Sequence, residues 1–209
     1  MTKPGRKLSQ STTLGIKVDN AAGFAAKADI RAKVLECVGP ERAAVLDCYA
    51  GSGKMHRAVW ANAASYAGCD ERFFFDRRTC FVCDNRVLLR AIDLNPFNIF
   101  DLDAYGSPWE QALIIAARRR VKPGERIGLT ITEGSSINLR FGKLATALSE
   151  ISGIPPRAAG AARVEKEVIS LALLGMAKRM NSRIARRWEA TGRTGARVAY
   201  VGCILEGLG

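Results

Sequence analysis

Apolar residues fall in short clusters along the first two-thirds of the chain, and their spacing alternates between two kinds of pattern. Phe24, Ile30, Val34 and Leu35 recur at helical intervals within Ala21–Val38, and Gly39-Pro40 follows, so this segment is expected to be a helix capping the domain. Ala43 to Tyr49 is a compact apolar run interrupted by Asp47 and followed by Ala50-Gly51-Ser52-Gly53, the pattern of a buried strand, a tight turn and a helix start. Lys54 to Tyr66 continues as a helix. Further short strands are expected at Tyr66–Asp70, Thr79–Cys83, Asn98–Asp103 and Arg126–Thr132, with a helix over Trp109–Arg120 ended by Lys122-Pro123-Gly124.

Strands that alternate with helices across short connections predict an α/β fold with a doubly wound, mostly parallel sheet. The nearly continuous apolar character of each strand predicts burial from both sides. Towards the end the pattern changes. Arg163–Met180 is apolar around most of its circumference, as a buried helix would be. Ser182–Trp188 and Ala196–Leu205 flank Gly192-Arg193-Thr194-Gly195, which predicts an antiparallel hairpin. Residues 1–20 are polar and basic without an apolar period and are expected to be flexible, leaving 21–209 as a single domain.

Composition adds a bias in partners. The formal net charge is +12, which favours a polyanion such as nucleic acid. Arg118-Arg119-Arg120 at a helix end and Arg186-Arg187-Trp188 near the C-terminus are the candidate phosphate and base contacts. The alternative is that these cations complement helix ends and aid solubility, with Trp188 in the core. No apolar stretch nears the ~20 residues of a membrane helix, and no signal-peptide segment follows Met1–Lys7, so a cytoplasmic protein with no membrane partner is expected. The six cysteines are expected to be reduced and mostly buried, including Cys80 and Cys83 on a buried strand. One CxxC with a single histidine, His56, falls short of the four ligands of a structural zinc site, and no metal is expected.

The chemistry concentrates at the strand ends. Gly51 and Gly53 let backbone approach a ligand closely, and the helix that follows aims its amides at it. Asp47, Asp70 and Asp84 close three successive strands, where a carboxylate can accept ribose hydroxyls, and this ladder favours an adenosine-containing ligand. Nicotinamide binding fits less well because His56 stands where G-x-G-x-x-G needs its third glycine.

The ladder resembles that of class I S-adenosylmethionine-dependent methyltransferases, which have a seven-stranded Rossmann-like sheet ending in an antiparallel hairpin. The resemblance implies S-adenosylmethionine as cofactor, held by Asp47, Tyr49, Ala50, Gly51, Ser52 and Gly53. It further implies Asp70 at the ribose, with Glu71 as the substitute, and Asp84 with the backbone near Asn85 at the adenine. The loop Asp101-Leu102-Asp103-Ala104-Tyr105-Gly106-Ser107-Pro108 is similar to the D-x-D-P-[FY]-G-S-P loop of the tRNA guanine exocyclic-amino dimethyltransferases, departing at Ala104 where that family has proline. The resemblance runs in motif order over roughly Val45–Gly142 and includes Thr130–Gly134. It implies that Asp103, or its neighbour Asp101, holds or deprotonates a target amino group while Tyr105 contacts the base. The chain reads as a shortened relative without that family's C-terminal domain. The expected activity is N-methylation of a nucleobase amino group, in RNA before DNA. Methylation of a protein or small molecule is the rival enzymatic reading, and a basic nucleic-acid-binding module with an inactive cofactor fold is the non-enzymatic one.

Overall fold

Ala21–Val38 forms α1, and its buried stripe reads Lys27, Ile30, Arg31, Val34, Leu35, Val38. Two cations on that stripe must find anions in the interior, since a buried unpaired charge is costly. The computed structural model describes residues 21–134, 141–157, 165–191 and 198–209. The expected N-terminal tail, 1–20, and the hairpin turn, 192–195, lie outside the described residues.

After α1 come β1 (Ala44–Asp47), α2 (Lys54–Ala58), β2 (Ser65–Asp70), β3 (Cys80–Val82), α3 (Asn85–Ala91), β4 (Ile99–Leu102), α4 (Trp109–Arg118) and β5 (Arg126–Glu133). Then follow α5 (Thr146–Ser152), α6 (Glu165–Arg179), β6 (Ser182–Thr191) and β7 (Ala199–Gly207). The strands form one seven-stranded sheet in the order β3-β2-β1-β4-β5-β7-β6. β1 to β5 are parallel, whereas β7 is antiparallel to β5 and β6 to β7. The doubly wound sheet and its closing antiparallel pair agree with the sequence pattern.

Helices cover the sheet unequally. On one face α1 packs with Val45, Ile99, Trp60 and Ile204. On the other, α3, α4, α5 and α6 bury Phe100, Leu102, Leu129, Ile131, Trp109 and Leu173 in the larger core. The close seat of α1 depends on glycine in the strands beneath it: a Cβ at Gly128 would lie 2.5 Å from Val34 Cγ1, and one at Gly202 would lie 2.6 Å from Ile30 Cγ2.

Two expectations need correction. The helix from Lys54 does not reach Tyr66; it stops at Ala58, and a short 3-10 turn at Trp60–Asn62 follows. That break turns the Trp60 indole inward, where its Nε1 donates to Asp101 Oδ2 at 2.8 Å. Nor is every strand buried on both faces. All three residues of β3 are exposed, Cys80 among them, because no helix crosses between β2 and β3 to cover it.

Candidate active site

β1 delivers the turn. Asp47 is buried at its end, and one carboxylate oxygen accepts from the Tyr49 amide at 3.0 Å while the other accepts from the Tyr66 hydroxyl at 3.0 Å. It therefore braces the turn from below. Burial raises its pKa, and Asp101, its register partner on β4, raises it further. Gly51 has φ 44°, and a Cβ added there would meet nothing nearer than the Tyr49 carbonyl at 3.8 Å, so the space over the turn is open. Gly53 serves another purpose: at φ 75° it leaves room for the Arg78 guanidinium, which a Cβ would meet at 2.7 Å. Arg78 in turn donates to the carbonyls of Ala50 (2.9 Å) and Gly51 (2.7 Å), clamping the turn from the side. Ala50 is buried, with its amide on the Cys69 carbonyl at 3.0 Å, and Ser52 is exposed.

β2 and β3 bring the next acids to the same edge. Asp70 accepts from the Gly51 amide through one oxygen and from the Arg72 amide through the other, both at 2.9 Å. Each oxygen keeps a lone pair for a further donor. Glu71 is exposed beside it. Asp84 caps α3 by accepting from the Arg86 amide at 2.8 Å, and the Arg86 guanidinium and this cap lower its carboxyl to about 2. The Asn85 side chain is spent on bracing: it donates to the Cys48 carbonyl at 2.8 Å and accepts from Gln111 at 2.9 Å. Only its backbone faces a ligand's needs. Burial raises the Tyr49 hydroxyl to about 12, and Asn85 lies within hydrogen-bond reach of it.

β4 separates two roles that its sequence left together. Asp101 and Asp103 both point to the α1 face, as strand alternation requires, but at different depths. Asp101 is buried and receives four donors: Arg31 Nε at 2.7 Å and Nη2 at 2.6 Å, Trp60 Nε1 at 2.8 Å, and Thr130 Oγ1 at 2.8 Å. It is a structural anchor and cannot reach a substrate amino group, which corrects its candidacy as a catalytic acid. Asp103, past the strand end, keeps 19 % of its side chain exposed and pairs with Lys27 Nζ at 2.8 Å, with Arg31 Nη2 at 3.8 Å. Burial alone would raise its carboxyl, but Arg31 and Lys27 outweigh this and hold it below the usual aspartate range.

The loop beyond is closed by the end of β5 and the start of α4. Gly134 N donates to the Gly106 carbonyl at 2.9 Å, and the buried Trp109 indole donates to the buried Glu133 carboxylate. These bonds fix the loop to the end of β5 even though Ala104 replaces the proline of the resembling family. Tyr105 stands out at the loop tip with 80 % of its surface exposed. Beneath it, Ser107 Oγ is buried without a hydrogen-bond partner among the described residues, as is Gln111 Oε1. An open turn and acids at successive strand ends suit a polar adenosine-type ligand.

The basic candidates do not form one surface. Arg119 is 1 % exposed and paired with Glu125, and Arg118 donates to the Ile92 carbonyl at 3.0 Å. Both close α4 at the amino ends of the strands, away from the site. Successive residues of β6 point to opposite faces: Arg186 reaches Cys37 Sγ on α1 at 3.4 Å, while Arg187 donates to Ser170 on α6 at 2.8 Å. Trp188 is half-buried against the α1 cluster. Of the thiols, Cys69 and Cys83 approach to 3.8 Å between sulfurs, and no group of three or more metal-ligating side chains occurs among the described residues. No helix among them is long and apolar enough to cross a membrane.

No protein-family model and no curated protein matches the chain. Solved structures do. Trm1 from Pyrococcus horikoshii, solved with S-adenosyl-L-methionine, superposes with a TM-score of 0.55 at 14 % identity, over 92 % of this chain and 59 % of its own. The N-methyltransferase NodS from Bradyrhizobium japonicum WM9, solved with S-adenosyl-L-homocysteine, gives 0.54 at 10 % identity over 91 % of this chain and 90 % of its own. A S-adenosylmethionine-dependent methyltransferase from Methanosarcina mazei gives 0.51 at 14 % identity, covering 84 % and 97 %. The fold is that of the class I methyltransferases. At these identities the likeness establishes architecture, and the chain spans 59 % of the length of the Pyrococcus protein. Within that methyltransferase fold, the open turn after β1 and the acids that end β2 and β3 occupy one continuous edge with Asp103 and Tyr105.

Two stability measurements check the electrostatics of this site. Arg31→Met leaves Asp101 charged and buried with two donors fewer, and urea unfolding should show a loss of about 3–5 kcal/mol; an unchanged midpoint would mean the pair is not formed. The fold raises the Asp47 carboxyl, so the folded chain keeps a proton that the unfolded chain releases above its ordinary range near pH 4. Stability should therefore fall as pH rises from that range, by at most ~1.4 kcal/mol per unit. Asp47→Asn should remove this slope between about pH 5 and 7.5.

Proposed function

We propose that the chain is an S-adenosylmethionine-dependent methyltransferase that methylates an exocyclic amino group of a nucleobase, in RNA rather than DNA. The observation that carries this reading is the placement of Asp103. Its ionised carboxylate lies past the end of β4, beside the exposed Tyr105 and along the same edge as the open glycine turn.

The turn, with Gly51 open above it, Asp70 at the ribose hydroxyls and Asp84 with the Asn85 backbone at the adenine, would hold the cofactor. Bound there, S-adenosylmethionine supplies an electrophilic methyl group on a sulfonium. Asp103 then acts as an acceptor for one amino hydrogen and orients the nitrogen lone pair. Because Lys27 and Arg31 hold it ionised, it is a weak base and a dependable hydrogen-bond acceptor at neutral pH. Tyr105 offers a ring face to the base, and the Ser107 hydroxyl a further donor inside the loop. Holding nitrogen and methyl in line is itself worth up to ~7–11 kcal/mol, so no covalent nucleophile is required. The net charge of +12 and the similarity of the Asp101–Pro108 loop to the tRNA guanine amino-methylating family support RNA as the acceptor.

Radiolabelled methyl transfer from S-adenosylmethionine to total RNA, DNA and protein tests the reading: label is expected in RNA, and label confined to protein would overturn it. Asp103→Ala should reduce transfer on the order of 10²-fold or more while calorimetric affinity for the cofactor persists. Lys27→Met should move the acid limb of the pH–rate profile upward by removing a cation from Asp103, and Lys27→Arg should restore it.

A further inference from the structure

The connection between β2 and β3 displays large apolar side chains to solvent. Phe73 is 62 % and Phe75 96 % exposed, and Phe81 and Val82 on the bare edge strand are exposed as well, on its opposite faces. Loosely held phenyl rings would fold back onto the protein and shed water. Here the loop is tied at both ends. The Arg72 amide bonds Asp70, and Arg78 bonds Asp76 through its amide at 3.0 Å and its guanidinium at 2.7 Å while gripping the Ala50 and Gly51 carbonyls. Phe73 and Phe75 meet edge-to-face, with ring centroids 4.7 Å apart and planes at 79°, an arrangement that leaves ring faces open to solvent.

Charge favours one kind of occupant. Asp70 and Asp76 are engaged within the loop, whereas the Arg72 and Arg77 guanidinium groups have no ion pair among the described residues and only Glu71 opposes them. Position favours it too. The loop leaves the carboxyl end of β2, which is separated from the end of β4 and its exposed Tyr105 by β1 alone, roughly 10 Å at two strand spacings. The 71–78 loop thus leaves the sheet on one side of the β1 turn, with the loop that carries Tyr105 on the other.

We infer that the 71–78 loop is a stacking platform for unpaired RNA bases, with Phe73 and Phe75 as the stacking rings and Arg72 and Arg77 on the adjoining phosphates. This inference rests on the nucleic-acid reading above and extends it to where the strand is held outside the methyl-acceptor site. It also replaces the Arg118–Arg119 and Arg186–Trp188 surfaces, whose side chains are occupied elsewhere. Stacking on an aromatic ring is tolerant of sequence, so the platform would select single strands over duplexes.

The test uses the full chain and a 12-nucleotide oligouridylate carrying one 2-aminopurine, with a duplex of equal length for comparison. For wild type, anisotropy should report tighter binding of the single strand, and 2-aminopurine fluorescence should be quenched on stacking. Phe73→Ala with Phe75→Ala should weaken single-strand binding by roughly 5- to 150-fold per ring lost from a stack and abolish the quenching. Cofactor affinity and the salt slope of binding should stay as they were, since no charge is removed. Arg72→Gln with Arg77→Gln should instead lower the salt slope by about 1–2 units. Unchanged affinity and quenching in the double phenylalanine variant would overturn the platform while leaving the nucleic-acid reading intact. Conversion of a dimeric wild type to a monomer without loss of RNA binding would assign the patch to self-association and also overturn it. Failure of wild type to bind either probe would overturn the nucleic-acid reading and the platform together.

Discussion

The rest of the structure is organised around one buried carboxylate. Asp101 sits in the middle of the sheet, and its two oxygens take four donors from α1, the turn after α2 and β5. A buried ion pair is a weak source of net stability, because desolvating both charges offsets most of their attraction. Its value lies in what it fixes. Arg31 ties α1 to β4 at a set height, which brings Lys27 one helical turn away to Asp103 at the edge of the sheet. Trp60, in the 3-10 turn that follows α2, brings its indole to the same carboxylate.

This arrangement divides the acids of the chain by depth. Asp47 and Asp101 are neighbours across β1 and β4; burial, with Asp101 beside it, pushes Asp47 towards its neutral form, while Arg31 pairs with Asp101. Asp70, Asp84 and Asp103 lie where the strands run out and are partly wet. Acids that look alike in sequence therefore do different work: two below the rim organise the turn and the helix, and three at the rim are the acids proposed for ligands.

Much of this was legible in the sequence, for identifiable reasons. Ala43–Tyr49, Asn98–Asp103 and Arg126–Thr132 are short apolar runs bounded by turn residues, a local signal that survives any tertiary context. The turn at Gly51 and the loop at Asp103–Pro108 are contiguous motifs, and they appear together on the expected edge. What stayed hidden depends on distance along the chain. Nothing local marks Lys27 and Arg31 as interior cations, since their partners lie some seventy residues on. Nor does anything local mark Trp60 as the partner of that same remote carboxylate. Runs of arginine misled for the opposite reason: residues adjacent in sequence, such as Arg186 and Arg187, are on opposite faces of a strand. The exposure of β3 was hidden because its apolar residues resemble those of a covered strand, and only the missing crossover helix tells them apart.

The span between Arg31 and Asp101 also has a temporal side. On a ribosome the first helix emerges well before the fourth strand, and for that interval its two interior cations have no anion to meet. The helix can form early by local propensity, but its seat is built by β5 and β7, so it cannot dock until the last strands are in place. Docking of α1 is thereby tied to completion of the sheet, and with it the pairing of Lys27 with Asp103 at the rim.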